Sequence, residues 1–239
     1  MATTLSTLRT SARAHLIETT ADFWTDAELL DIMLQGVKDL WGAVIDLHQE
    51  HFLTVDITNV SLSANGTSLS GVPTDTFRVH LIEPTDITNA GSYENLIFVP
   101  RDYNSPDFIA ARTATAQDST TTGIIYYCLI SAGAPVGAPS VLVAPSVTTA
   151  LAAGAIRFVY VPVLGTLTGS SNNPIPGESD HALIAWTVAY ARAKEKDDRV
   201  PDAGWLAVYA TEKQHILTRL TPRQTQEPDY VEALFQSSW

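Results

Sequence analysis

Helical patterning at both ends of the chain, around a middle that reads as β structure, is the strongest constraint on its fold. From Ala2 to about Glu50, and again from Glu178 to about Leu220, apolar residues recur at helical spacing. Between them runs a stretch rich in Thr, Ser, Val, Gly and Pro that reads as β structure. Segments so far apart in sequence close one helical core only if the middle is an insertion. The expected organisation is a discontinuous bundle (1–50 and 174–220), an inserted β domain (51–173) and a tail (221–239) opening on Thr221-Pro222. In fold class this is α+β: a bundle of about four helices, an antiparallel β-sandwich or barrel, and an extended C-terminal tail.

Local signals support each part. Thr25-Asp26-Ala27-Glu28 has the form of a capping box, in which hydroxyl and carboxylate each satisfy a free backbone N–H. Leu30, Met33, Leu34, Val37, Trp41, Val44 and His48 follow at helical spacing. A shorter helix precedes it, suggested by Leu5, Leu8, Ala12, His15 and Leu16, with Arg9 and Arg13 paired on its polar face. Then the period changes to two. Leu53, Val55 and Ile57 alternate with polar residues, as do Phe77, Val79 and Leu81, and the alternation predicts half-buried strands. Ile97–Val99, Ile124–Ile130, Val141–Val143 and Ile156–Val161 are further strand candidates, and Asn65-Gly66 is a hairpin turn signal. Thr113–Thr122 reads as an exposed loop. After Pro174-Ile175-Pro176-Gly177, Leu183, Trp186 and Tyr190 form a stripe beside Ala182, Ala185, Ala189 and Ala193, whose small size lets another helix approach. Asp202 is placed to cap a last helix carrying Trp205, Tyr209, Ile216 and Leu220.

Charge and composition narrow the function. With 239 residues and 45% apolar content the chain is long enough for a real core, and its formal charge of −12 argues against tight nucleic-acid binding, which needs Lys and Arg to displace counterions. The single Cys128 gives no disulfide framework and reads as a buried strand thiol. No secretory signal is expected at the start. The uncharged run between Asp118 and Arg157 is too interrupted by Pro, Gly, Ser and Thr to span a bilayer as a helix.

No catalytic constellation appears. The chain has no P-loop, no Gly-x-Gly-x-x-Gly, no Gly-x-Ser-x-Gly and no His-Glu-x-x-His, so no catalytic residue, cofactor or metal site is expected. His48-Gln49-Glu50-His51 would set two imidazoles on one helix side, within reach of a metal. Without an identifiable third ligand, it reads as a helix end where His suits the dipole and Gln49 and Glu50 are solvated. Asp180-His181 reads as capping at a helix start. The tail carries Tyr230, Val231, Leu234, Phe235 and Trp239, which need either their own domain or a pocket on another subunit. Seven of the fourteen Lys and Arg residues lie in the last fifty positions, which would steer an acidic protein partner there.

Together these stretches resemble the head-to-tail adaptor (connector) proteins of tailed bacteriophages, in the longer form with a β domain inserted in a helical bundle. The resemblance rests on Trp24-Thr25-Asp26-Ala27-Glu28-Leu29-Leu30, Val72-Pro73-Thr74-Asp75-Thr76-Phe77-Arg78-Val79, Phe158-Val159-Tyr160-Val161-Pro162, Ile175-Pro176-Gly177-Glu178, and Trp205 in the following helix. It spans nearly the whole chain. It implies a structural virion protein at the head–tail interface, assembled in the host cytoplasm as a homo-oligomeric ring, usually of twelve copies. Such a ring docks under the portal protein, extends the DNA channel without specific DNA binding, and offers a surface to tail or neck proteins. By the same resemblance Tyr230, Val231, Leu234, Phe235 and Trp239 are carried over as the portal-docking tail. Trp41, Trp186, Tyr190 and Trp205 are the expected bundle and ring-packing aromatics. A second reading makes the β middle a carbohydrate-binding module, with Tyr93, Tyr103, Tyr126 and Tyr127 as groove candidates.

Overall fold

The structure is a computed structural model, and it describes residues 3–18, 21, 23–85, 96–117, 123–131, 139–175, 178–195 and 200–220. The tail, and with it Tyr230, Val231, Leu234, Phe235 and Trp239, lies outside the described residues, as does Tyr93. The chain divides into two compact units, Met1–His51 with Thr166–Trp239, and Phe52–Gly165. Residues 169–173 run beside the first helix, where Leu5 N–H donates to Ser171 O at 2.9 Å, Ser6 N–H to Gly169 O at 2.8 Å and Asn173 N–H to Thr3 O at 2.9 Å.

Four described helices make the first unit: α1 (Leu5–His15), α2 (Asp26–His48), α4 (Asp180–Glu195) and α5 (Ala203–Arg219). The ends fall where the side chains dictate. Thr4 caps α1 by accepting from Thr7 N–H, and Thr25 and Glu28 form the reciprocal capping box of α2. Asp202 caps α5 by accepting from Gly204 and Trp205 N–H. Helix α4 is central and packs on α1, α2 and α5. Its small residues explain why: Ala182, Ala185, Ala189 and Ala191 are fully buried, so three neighbouring helices approach it closely. Among the described residues no helix is long and apolar enough to cross a membrane.

The second unit holds strands β1 (Thr54–Asp56), β2 (Ser61–Leu62), β3 (Leu69–Ser70), β4 (Thr76–Pro84), β5 (Leu96–Pro100), β6 (Gly123–Ser131), β7 (Pro139–Ala144) and β8 (Ile156–Pro162), with helix α3 (Pro106–Arg112) between β5 and β6. They form sheets ordered β1-β8-β4, β2-β3 and β5-β6-β7. One cluster drawn from all three sheets fills the interior, including Leu62, Leu69, Ile82, Phe98, Ile125, Val143, Phe158 and Tyr160. Strand β6 is covered on both faces. Ile125 and Tyr127 point into that cluster, while Cys128 and Ala144 pack under Phe108 and Ala111 of α3. The protein is thus α+β, with sheets that do not close into a barrel among the described residues.

Several local expectations are corrected. β5 and β6 pair in parallel, not antiparallel, because α3 carries the chain back between them. Helix α3 is itself unanticipated inside the β region, although Ser105 caps it and Pro106 starts it. The alternation in β4 does not hold through Leu81. A register shift between Val79 and Leu81 rephases the strand, so Val79 faces Tyr160, Leu81 faces Val159, and Ile82 is the buried residue. Phe77, Val55 and Ile57 remain exposed, at 44%, 47% and 40%. Arg13 is not a polar-face residue; it is 6% exposed and turned into the unit.

Candidate functional site

For a chain without a catalytic constellation, the functional candidates are surfaces and the devices that hold them rigid. The helical unit is held by side chains that reach from one helix to the backbone of another. Trp24 Nε1–H donates to Ala191 O at 3.0 Å, and Trp186 Nε1–H donates to Ile32 O at 3.0 Å. The Trp186 ring lies against Gly36 of α2, where an added Cβ would fall 2.8 Å from its ring carbons. It also stacks with Tyr190 at 4.4 Å and meets Tyr209 edge-on at 4.9 Å between ring centres. A glycine was necessary there, since the indole occupies the space of a side chain.

Tyr209 donates from its hydroxyl to Asp39 Oδ2, which also accepts from Lys213 Nζ at 2.6 Å. Burial and the Asp39 carboxylate together push the Tyr209 hydroxyl's pKa up. Asp39 is held below the usual carboxylate value: burial opposes its charge, but the bonds from Lys213 and Tyr209 outweigh it. At the other end of α4, Trp205 meets His15 at 5.1 Å and lies 5.9 Å from the Arg192 guanidinium. Of the four sequence-identified aromatics, Trp186 and Tyr190 are therefore adjacent and Trp205 is separate. Trp41 is half-buried on α2.

Arg13 is the residue that sequence reasoning missed. Its Nη2 donates to Trp24 O at 2.6 Å and to Asp26 Oδ1 at 2.8 Å, and its Nη1 donates to Glu18 Oε2 at 3.2 Å. Glu18 in turn accepts from the backbone N–H of Phe23 and Trp24. One guanidinium thus fixes the α1–α2 connection and presents the α2 capping box. The nearby acids Glu18 and Asp26 were the available signal, since a guanidinium offers five donors to a crowded turn.

In the β unit, a cleft of about 380 Å³ is lined by Arg78, Arg101, Asp102, Ser105, Tyr127 and Cys128, among others. Its two arginines are engaged: Arg101 donates to Asp107 at 3.1 Å and lies over Tyr126, and Arg78 lies over Phe77. Burial pushes the Cys128 thiol up and Tyr127 up to about 12, so neither is a ready nucleophile. Of the tyrosines proposed for a carbohydrate groove, the three that are described do not share one exposed face. Tyr127 is core, Tyr126 is half-buried beneath Arg101, and Tyr103 is exposed beside Arg112. Among the described residues, no three His, Cys, Asp or Glu side chains are already assembled to hold a metal ion.

No curated protein matches the chain. The family model described as SU10 adaptor protein matches residues 3–232, running through both helical blocks and the β unit between them. A match of that extent assigns the family: the chain belongs to the SU10 adaptor protein family, as its resemblance to tailed-phage adaptors anticipated.

Proposed function

We propose that this protein is a head-to-tail adaptor that assembles as a ring beneath the portal of a tailed phage, extends the DNA channel and offers a docking surface to the tail or neck. The family match across residues 3–232 carries this reading, because it takes in the helices, the insertion and most of the tail. The helical unit supplies the rigid body. Its cross-helix bonds from Trp24, Trp186, Arg13 and Asp39 suit a subunit that must keep its shape while packing against copies of itself. Trp41, Trp186, Tyr190 and Trp205 serve that packing. The tail, with Tyr230, Val231, Leu234, Phe235 and Trp239, is the portal anchor, and its aromatic and aliphatic side chains suit burial in a pocket on a larger partner.

The acidic balance fits a conduit. Each copy brings a formal −12, and a ring multiplies it around the lumen, where like charge lets DNA slide without sticking. Two measurements test the proposal. Native mass spectrometry of the full chain mixed with portal should give a multi-copy complex, and removal of residues 221–239 should abolish it while leaving a folded protein. Retained portal binding would remove the tail from the anchoring role. A reconstruction of the complex should show an acidic or neutral channel wall; an inward ring of Lys or Arg would refute the conduit argument.

A further inference from the structure

The C-terminal end of α2 contains three buried side-chain atoms that lack a hydrogen-bond partner: His48 Nδ1, Glu50 Oε1 and His51 Nε2. Buried polar atoms in folded proteins are nearly always paired, so three orphans within four residues need a physical reason. Backbone geometry brings them together. His48 is the last residue of α2, and Gln49–Phe52 continue it as a 3₁₀ turn, in which residues three apart lie on the same side. Glu50 is not the solvated residue its position suggested, since its side chain is only 13% exposed and that of His48 only 12%.

The protonation of His48 follows from its other nitrogen. His48 Nε2 lies 2.9 Å from Leu217 O in the last turn of α5, and a carbonyl only accepts, so Nε2 carries the proton. In the neutral ring Nδ1 then presents a bare lone pair, and it faces Glu50 Oε1 at 3.5 Å. Two acceptors at that separation, away from water, repel unless something positive lies between them. A tetrahedral zinc-type ion with arms of about 2.0–2.1 Å has ligand–ligand edges of about 3.4 Å, which this pair already matches. The bond from Nε2–H to a backbone carbonyl is also the outer-sphere arrangement that orients a metal-binding imidazole. The third donor is His51, whose ring centre is 6.2 Å from that of His48 with the planes at 76°. As placed, the three side chains do not form a closed set, and the His51 ring has to turn toward the other two to complete it.

We propose that His48, Glu50 and His51 form a two-histidine, one-carboxylate site for a zinc-class divalent ion, closed by rotation of His51 when the ion arrives. The site does not depend on the adaptor reading. Because His48 holds Leu217 of α5, occupancy would clamp the end of α2 to the last turn of α5, three residues before Leu220.

The test uses the full-length chain without affinity-tag histidines, titrated with Zn²⁺ alone by calorimetry and with Co²⁺ alone by visible absorption. One saturable equivalent per chain, tetrahedral cobalt bands and a zinc-dependent rise in melting temperature are expected. His51→Gln and Glu50→Gln should each weaken binding by more than about tenfold while the metal-free melting temperature stays close to wild type. His215→Ala, at the exposed His181–Glu212–His215 group, should change nothing. Absence of saturable binding, binding unaffected by His51→Gln, or binding lost with His215→Ala would each overturn the proposal. So would a melting temperature that rises on acidification and ignores zinc, which would assign the space between His48 and Glu50 to a proton.

Discussion

Both units rest on buried apolar side chains, but the helical unit is also tied across its helices by polar bonds from single side chains, whereas the β unit is filled by apolar clusters alone. In the first, Trp24, Trp186 and Asp39 each join segments far apart in sequence, and Arg13 ties α1 to the start of α2. In the second, Phe158, Ile125, Leu151 and Ile156 are fully buried and the ion pairs Arg157–Glu83 and Arg101–Asp107 lie on the surface. Directional bonds fix a shape, and loss of one partner strands the other. An apolar cluster is less particular about geometry but sensitive to volume. The helical unit should therefore respond to changes of charge and close contact as well as to cavities, and the β unit chiefly to cavities.

The largest expected effect tests the β side. Phe158 is fully buried between β1 and β4 in the centre of the cluster, so Phe158→Ala should cost about 4 kcal/mol in denaturant unfolding followed by a β signal. A loss below about 1 kcal/mol would mean that the cluster collapses around the gap and that the contrast is overstated. Next is Arg13→Ala, which leaves Glu18, at 11% side-chain exposure, without its buried cation. It should cost about 3 kcal/mol in the helical unit, while Arg13→Lys should recover only part because an ammonium cannot serve Trp24 O, Asp26 and Glu18 in one plane. Full recovery by lysine would reduce Arg13 to a point charge. Gly36→Ala follows at about 2 kcal/mol, since its methyl would press on Trp186 from 2.8 Å. On a Trp186→Ala background, which removes the ring carbons the methyl would meet, Gly36→Ala should lose most of its penalty, and a purely additive double variant would show that the contact is not the cause.

These positions also show what sequence makes legible. The capping box at Thr25 and Glu28, the Asp202 cap, the short-range turn at Asn65-Gly66 and the β-branched strand runs are set by residues a few places apart, and reading them needs only local chemistry. The Trp186–Gly36 contact depends on which distant segments meet, and neither residue carries a local mark of its partner, whereas the Arg13 hub had a mark in the nearby acids Glu18 and Asp26 that its helical spacing beside Arg9 concealed. Helix α3 had such a mark in Ser105-Pro106, but a β-rich background concealed it. The rephasing of β4 escaped because one extra residue flips every later side chain without changing composition. At the α2 end the histidine pair was visible, and what escaped was the burial of Glu50 beside it, on which the proposed metal site rests. The tail aromatics were read from sequence and belong to the proposal about the portal.

The smallest effect is an acid one, and it separates the units by where their carboxylates act. Glu28 Oε1 accepts from Lys194 Nζ at 2.8 Å, and its Oε2 accepts from Thr25 N–H at 2.8 Å. The Lys194 bond first, then those from Thr25, hold its pKa at about 2 against an ordinary 4.5. A carboxylate depressed on folding stabilises the fold above its unfolded value, so this contribution is complete above about pH 4.5 and disappears as the pH falls toward about 2. Asp39, also depressed on folding, adds to the same loss with the same sign. In the β unit Asp56 does likewise, its charge favoured by bonds from Asn59 and Thr58 despite burial, so both units weaken in acid. Glu28→Gln should flatten only the helical part. Followed by far-ultraviolet helix signal across that pH range, the variant should lose less stability on acidification than wild type, with a similar change of β signal. An acid limb unchanged by Glu28→Gln would place the sensitivity of the helical unit at Asp39 and its Lys213 bond instead.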